Sequence, residues 1–170
     1  GTDIQQIAVM NSDRPNASYS KLNPATITIL DDRLAEKGAK EVARHESFHL
    51  IDGKYDYKLS AGLEPLQQRL LQASPAFFRK LNESSFIPEV GTGGHSDENS
   101  REFFASLMNS VAHDRCEDRL KKMDPEFRKN YAEALRTVRD QLSSTAGFPQ
   151  DAPILALIDQ RLSSSPLKNR

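Results

Sequence analysis

The segment His45-Glu46-Ser47-Phe48-His49 carries two histidines four residues apart, with a glutamate directly after the first. If the segment is helical, both imidazoles lie on one face and can bind the same metal ion. Neutral imidazole is a preferred ligand of zinc, and the glutamate of an HExxH pattern can remove a proton from water at that zinc. The spacing therefore predicts a zinc site with His45 and His49 as ligands and Glu46 as the general base.

The flanking residues predict the helix that this site requires. A stripe of small and apolar residues leads into the first histidine at helical spacing, and Asp31 and Asp32 can cap a helix N-terminus. Gly53 predicts a helix end about one turn after the second histidine. We therefore expect a helix over Ala39–Asp52. Asp52 can either accept a hydrogen bond from a ligand imidazole or interact with solvent, and both interpretations stay open.

A third ligand must come from elsewhere in the chain. Metzincins supply a third histidine in the pattern HExxHxxGxxH, but here an aspartate and a tyrosine stand at the glycine and histidine positions. The segment 98–108 has the apolar stripe of a second helix, and we favour Glu102 as its ligand because its helical neighbours are small. Glu98, one turn earlier, is the rival. Alternatively, Glu102 closes a capping box onto Asn99.

Composition limits the other possibilities. The 170 residues are enough for one domain, which we expect to span residues 1–165 with a disordered tail at 166–170. Because 23 basic residues face 24 acidic ones, the chain lacks the basic character typical of a nucleic-acid partner. No apolar run predicts a membrane span. The single Cys116 excludes an internal disulfide and a cysteine-based zinc site.

The remaining patterns predict a fold class. Residues 25–30 alternate apolar and β-branched residues directly before the HExxH helix, which is typical of a strand. Helical patterns dominate from residue 63 onward, with breaks near Ser74-Pro75, Asp124-Pro125 and 146–149. We expect an α+β fold that is mostly α, with a small sheet whose edge strand precedes the HExxH helix and a C-terminal helical part. Such an edge can bind a protein or peptide substrate in extended form.

Two segments together resemble the catalytic domain of the anthrax lethal factor family, a zincin family that includes the pro-pro endopeptidases and several bacterial toxins. Residues 45–52 read HESFHLID and residues 101–105 read REFFA. That family has HExxHxxD followed by a helix reading EFFAE, in which the first glutamate is the third zinc ligand. Ser106 stands at the position of the second glutamate. The resemblance covers roughly residues 25–142.

The resemblance implies a zinc metalloendopeptidase of the HExxH gluzincin type. The ligands of one zinc per chain would be His45, His49 and Glu102, and the general base would be Glu46. The family places a tyrosine seven residues before the third ligand, where its hydroxyl stabilises the oxyanion. His95 holds that position here, and an imidazole N–H can donate the same hydrogen bond. Oxyanion donor, substitute ligand and exposed loop residue all stay open for His95.

The resemblance also implies a biological setting. It predicts a bacterial virulence protein, either a secreted toxin or an effector injected into a target cell, that cleaves a specific protein. We expect a monomer with no nucleic-acid or membrane partner. Two other functions stay open: a non-catalytic zincin-fold binding module, and a hydrolase of cell-wall peptides. The sequence does not identify the substrate.

Overall fold

The computed structural model describes residues 6–9, 17–19, 26–29, 39–84 and 95–168. Three short strands come first: β1 (Gln6–Val9), β2 (Ala17–Tyr19) and β3 (Thr26–Ile29). The helices that follow are α1 (Ala39–Lys54), α2 (Lys58–Ala61), α3 (Glu64–Ala73), α4 (Ala76–Ser84), α5 (Ser100–Ala112), α6 (Cys116–Lys121), α7 (Pro125–Ser144) and α8 (Pro153–Ser163). The predicted cap residues Asp31 and Asp32 lie outside the described residues.

The three strands pair in the order β1-β3-β2. Strand β3 runs parallel to β1 and antiparallel to β2, so that Ile27 is paired with Ile7 on one side and with Tyr19 on the other. Strands β2 and β3 contact α1. The strand that precedes the HExxH helix is therefore a central strand without a free backbone edge.

The predicted fold class, α+β and mostly α with an edge strand before the HExxH helix, is wrong about the sheet, because β3 lies between two other strands. The described structure is mostly helical, and its described core consists of side chains from the helices and the segments that join them. The alternating pattern of residues 25–30 indicates a local preference for extended backbone. It carries no information about which segments pair on either side, because those partners lie elsewhere in the chain.

Helix α5 lies at the centre of the core. Its residues from Phe103 to Val111 are all buried, as expected for a helix surrounded by protein on every side. It contacts α1, α2, α3, α4, α6 and α8. Aromatic side chains from α4, α5 and α7 pack edge to face or tilted against one another beside it; they are Phe77, Phe78, Phe103 and Phe127.

The helix predicted over Ala39–Asp52 is confirmed, but its last residue and the C-terminal tail differ from the sequence prediction. Helix α1 continues through Gly53 to Lys54, and the chain then reverses at Asp56 and Tyr57, whose φ values of 53° and 60° are left-handed. At the other end, Leu167 is 1 % exposed and packs into the core. The tail predicted as disordered from residue 166 is therefore ordered to at least this position. None of the described helices is long and apolar enough to cross a membrane.

Candidate metal centre

The site lies where α1 crosses the N-terminal half of α5. These two helices share the most extensive contact between any pair of described elements. Phe48 of α1 meets Phe104 of α5 edge on, with 6.3 Å between ring centroids. The small residues Ala105 and Ser106 are fully buried, which permits a close approach of the helices. This packing places one face of α1 opposite the first turn of α5.

Capping fixes where α5 begins, and therefore which way its first turn points. The Asn99 side chain accepts a hydrogen bond from the backbone N–H of Glu102 at 2.9 Å. The preceding turn is held by Ser96, which is fully buried and whose N–H donates to the side chain of Asn82 at 3.2 Å. Gln67 donates to the carbonyl of Ser96 at 3.4 Å. The start of α5 is thereby tied to α3 and α4.

The carboxylate of Glu102 lies between the two imidazoles of α1. One of its oxygens is 3.1 Å from Nε2 of His45, and the other is 3.0 Å from Nε2 of His49. The two rings are 4.9 Å apart between centroids and nearly perpendicular. One potential ligand atom from each residue lies within 4.8 Å of the other two. Among the described residues, these three form a group that could bind a metal ion.

The structure also distinguishes the two predicted roles of Glu102. Its backbone N–H is capped by Asn99, as a helix start requires. Its carboxylate is within hydrogen-bonding distance of both histidines. Glu98, the rival ligand, is 57 % exposed in its side chain and pairs with His95 at 3.0 Å. The carboxylate brought to the histidines is therefore the one in the first turn of α5.

The environment of the group favours an ionised carboxylate. Burial raises the pKa of Glu102, but the hydrogen bonds of His45 and His49 outweigh it and hold the pKa far below its usual value. Burial lowers the pKa of His49, and here the hydrogen bond and charge of Glu102 outweigh burial and raise it. The side chains remain 12–23 % exposed, so that an ion in solution can reach them.

Glu46 lies next to this group on α1 and is 9 % exposed. Burial raises its pKa, and the charges of His45 and His49 offset only part of that rise. The negative charge of Glu102 raises it further. A buried carboxylate with a raised pKa, close to potential metal ligands, has the properties of a proton acceptor in catalysis.

Asp52 has neither of the roles that the sequence left open. It is fully buried, and its Oδ1 accepts a hydrogen bond from the backbone N–H of Ser60 at 3.1 Å. Its Oδ2 is buried without a hydrogen-bond partner. Burial raises its pKa, while the hydrogen bonds of Ser60 and the charges of His49 and Arg101 act in the opposite direction. Asp52 thus joins the end of α1 to α2.

His95 is not part of the grouped residues. Its side chain is 54 % exposed, and Nδ1 lies 3.0 Å from a carboxylate oxygen of Glu98. It stands in the turn that leads into α5, seven residues before Glu102. The glycines at 93 and 94, which precede it, lie outside the described residues. Its predicted role as oxyanion donor stays a prediction.

Two residues near the site had no role assigned from the sequence. The guanidinium of Arg101 lies 3.6 Å from the centroid of the Tyr57 ring. The only signal in the sequence is that Arg101 directly precedes Glu102. The contact itself joins two separate elements, so that no local pattern could predict it.

No protein-family model, curated protein or solved structure matches this chain. Two imidazole nitrogens and a carboxylate converge, and a second buried carboxylate stands beside them. This arrangement can bind a metal ion and can accept a proton next to it.

Proposed function

We propose that this protein is a zinc-dependent metalloendopeptidase that hydrolyses a specific target protein. The observation that supports the proposal most strongly is the convergence of His45, His49 and Glu102 within 4.8 Å. The position of Glu46 supports it further, because a hydrolase needs a base beside the metal as well as ligands. A purely structural metal site would not require that second carboxylate.

The donor set suits zinc. Two imidazoles and one carboxylate are the protein ligands of a catalytic zinc that keeps one coordination position open. Zinc holds such ligands at about 2.0–2.2 Å, so that atoms 3.0–3.1 Å apart can share one ion. The residues that would hold it are His45, His49 and Glu102. The ionised state of Glu102 favours binding, because a carboxylate must be deprotonated to act as a ligand.

The roles of the residues follow from their protonation. When bound, zinc supplies Lewis-acid polarisation of the scissile carbonyl and acidifies water. Glu46 accepts the proton from the attacking water and returns it to the leaving amine. A carboxylate with a raised pKa suits both steps, because it can be protonated and deprotonated within one catalytic cycle.

His95 is proposed as the donor that stabilises the oxyanion. It stands seven residues before Glu102, and its exposed side chain can be reached by a substrate. An imidazole N–H pointed at the developing oxyanion would lower the barrier. Because Nδ1 donates to the carboxylate of Glu98, Nε2 carries a proton and can donate to the oxyanion only in the doubly protonated imidazolium form.

The proposed setting is a bacterial toxin or injected effector. Its support is the resemblance of residues 45–52 and 101–105 to the lethal factor family. A narrow substrate range belongs to that proposal. A generic protein such as casein is for this reason an unsuitable substrate for a first test.

The experiment is a search for new protein N-termini in a host-cell lysate treated with zinc-loaded protein. We expect a few discrete cleavage sites with the wild type and none of these with Glu46→Gln. Glu64→Gln, which changes an exposed glutamate on α3, is the matched control and should cleave like the wild type. Identical cleavage by the wild type and Glu46→Gln, or release of peptides from cell-wall sacculi alone, would reject the proposal.

A further inference from the structure

A cation is held against an aromatic ring beside the proposed zinc site. Arg101 is exposed and directly precedes the ligand Glu102 on α5. Its guanidinium carbon lies 3.6 Å from the centroid of the Tyr57 ring, which is a close cation–π contact. Stacking of this kind limits the orientations of an arginine that would otherwise move freely in solvent. The cation is therefore held in place next to the metal ligands.

The backbone that presents Tyr57 is unusual. Asp56 and Tyr57 both have left-handed φ values, which are uncommon for residues with side chains and rare for an aromatic one. The N–H of Tyr57 donates to the carbonyl of Asp52 at 2.9 Å, and this bond closes the turn. Backbone strain of this type persists only where the surroundings impose it, and it is concentrated at functional sites. Here the strained turn carries the ring on which Arg101 rests.

Stacking occupies the face of the guanidinium and leaves its N–H edge available. The ion pairs found within the ranges 39–84 and 95–168 do not include Arg101. Its charge lowers the pKa of Asp52, but Asp52 already accepts the N–H of Ser60. The planar edge of a guanidinium matches a carboxylate, which it can bind through two parallel hydrogen bonds.

We propose that Arg101 determines specificity by binding an acidic side chain of the substrate next to the scissile bond. This inference rests on the function proposed above. Arg101 is one residue from a proposed zinc ligand, so that its long side chain is within reach of residues that flank the cleaved bond. The carboxylates of Glu46 and Glu102 lie close enough to interact through their charges and would repel a further acidic group, so that an acidic group of the substrate needs a cation such as Arg101 to bind there.

The test uses two short peptide hydroxamates that differ only in a Glu or a Gln beside the zinc-binding group. Their dissociation constants are measured by calorimetry on zinc-loaded protein. We expect the wild type to prefer the Glu compound by about tenfold or more, as for one charge-assisted hydrogen-bonded pair. Arg101→Gln should abolish this preference and leave the affinity for the Gln compound and the zinc content unchanged. Arg136→Gln, an exposed arginine on α7, is the matched control and should keep the preference.

A second measurement separates this inference from the proposed function. In metal-free protein, the Nε–H signal of Arg101 in an NMR spectrum should shift on addition of N-acetylglutamate amide. It should shift much less with N-acetylglutamine amide. A shift without zinc binding would reject the proposed enzyme and retain the carboxylate site. Equal binding of both hydroxamates by the wild type, or a preference that persists in Arg101→Gln, would overturn the inference and leave Arg101 as a structural counter-charge to Asp52.

Discussion

Polar side chains lie at both ends of α5, but the two ends differ in solvent exposure and in how these side chains pair. At the N-terminal end, the carboxylate of Glu102 lies between two imidazoles and remains 23 % exposed. At the C-terminal end, the hydroxyls of Ser110 and Tyr131 lie 2.8 Å apart, and both residues are 1 % exposed. Arg161 of α8 donates to the carbonyl of Val111 at 3.1 Å and closes this end of the helix.

The difference shows what separates a chemical site from a structural network. At the C-terminal end, donors and acceptors pair with one another and water is excluded, which contributes to stability and specificity of packing. At the N-terminal end, three groups of the type that bind metals converge and solvent can reach them. Polarity alone would not have distinguished these two regions. Convergence of ligand atoms together with access to solvent distinguishes them.

The largest effect is expected at the N-terminal end, from a change that keeps the shape of the site. Glu46→Gln should lower kcat by about 100-fold to 10,000-fold, because the amide cannot accept the proton. Its zinc content should equal that of the wild type, since Glu46 is not a ligand. Rates are measured on a peptide that contains the cleavage site found in the lysate search. Full activity of Glu46→Gln would contradict the role of Glu46 as the general base, and with it the interpretation of the N-terminal end of α5 as a chemical site.

The second prediction concerns the C-terminal end of α5, which we call the sealed end because its polar groups are buried. Cys116 is 1 % exposed and lies 3.5 Å from the hydroxyl of Tyr131. Burial raises the pKa of its thiol, so that less of the reactive thiolate is present at neutral pH than for an ordinary cysteine. Native protein should react with iodoacetamide at least about 1,000-fold more slowly than unfolded protein, because reaction requires opening of the core.

The pH dependence of this reaction provides the control. Raising the pH from 7 to 9 should accelerate labelling of the protein unfolded in guanidinium, because it passes the ordinary pKa of a thiol. The native protein should stay slow over the same range, since its thiol loses the proton only at higher pH. Stoichiometric labelling of native protein within minutes at pH 7 would show that this end is not sealed.

The third prediction tests His95 as the oxyanion donor at the N-terminal end of α5, which we call the open end because solvent can reach it. If His95 stabilises the oxyanion, His95→Ala should lower kcat by about 100-fold to 1,000-fold with little change in KM. The zinc content should not change, because His95 is not among the grouped ligands. His95→Tyr should restore part of the activity through its hydroxyl. Wild-type rates in His95→Ala would contradict this role and leave His45, His49, Glu102 and Glu46 as the functional residues.

The smallest effect is expected from Arg161, and it concerns stability alone. Its guanidinium also donates to the carbonyl of His113 at 3.1 Å and to Glu117 at 3.3 Å. Arg161→Ala should lower the free energy of unfolding by about 2–4 kcal/mol, because buried acceptors lose their donors. The exposed Arg136→Ala is the control and should stay within about 0.5 kcal/mol. Urea denaturation measures both, and equal losses would contradict the assignment.

Local patterns predicted the open end well. The spacing of His45 and His49 places both on one face of a helix, whatever the rest of the fold does. Glu102 could be predicted because it stands beside the apolar stripe of its helix and its helical neighbours are small. Each of these signals lies within a few residues of the side chain that it positions.

Features that depend on distant residues were not predictable in the same way. Gly53 predicted a helix end, and α1 ends one residue later at Lys54, while the hydrogen bond from Ser60 to Asp52 across the following turn had no signal in the sequence. The pairing of β3 on both sides depends on β1 and β2, which precede it in the chain, and its own alternating residues do not specify them. Arginine is usually a surface residue, and only the fold brings Arg161 to the carbonyls at the end of α5.

The central claim is that residues of α1 and α5 together form a single zinc site. It is tested most directly by measuring zinc stoichiometry and affinity in the wild type, Glu102→Ala and Glu98→Ala, by elemental analysis and competition with a chelator. We predict one zinc per chain in the wild type and in Glu98→Ala. Glu102→Ala should bind zinc more weakly by over about 100-fold, because only two ligands remain. Equal zinc affinity in Glu102→Ala and the wild type would contradict the claim.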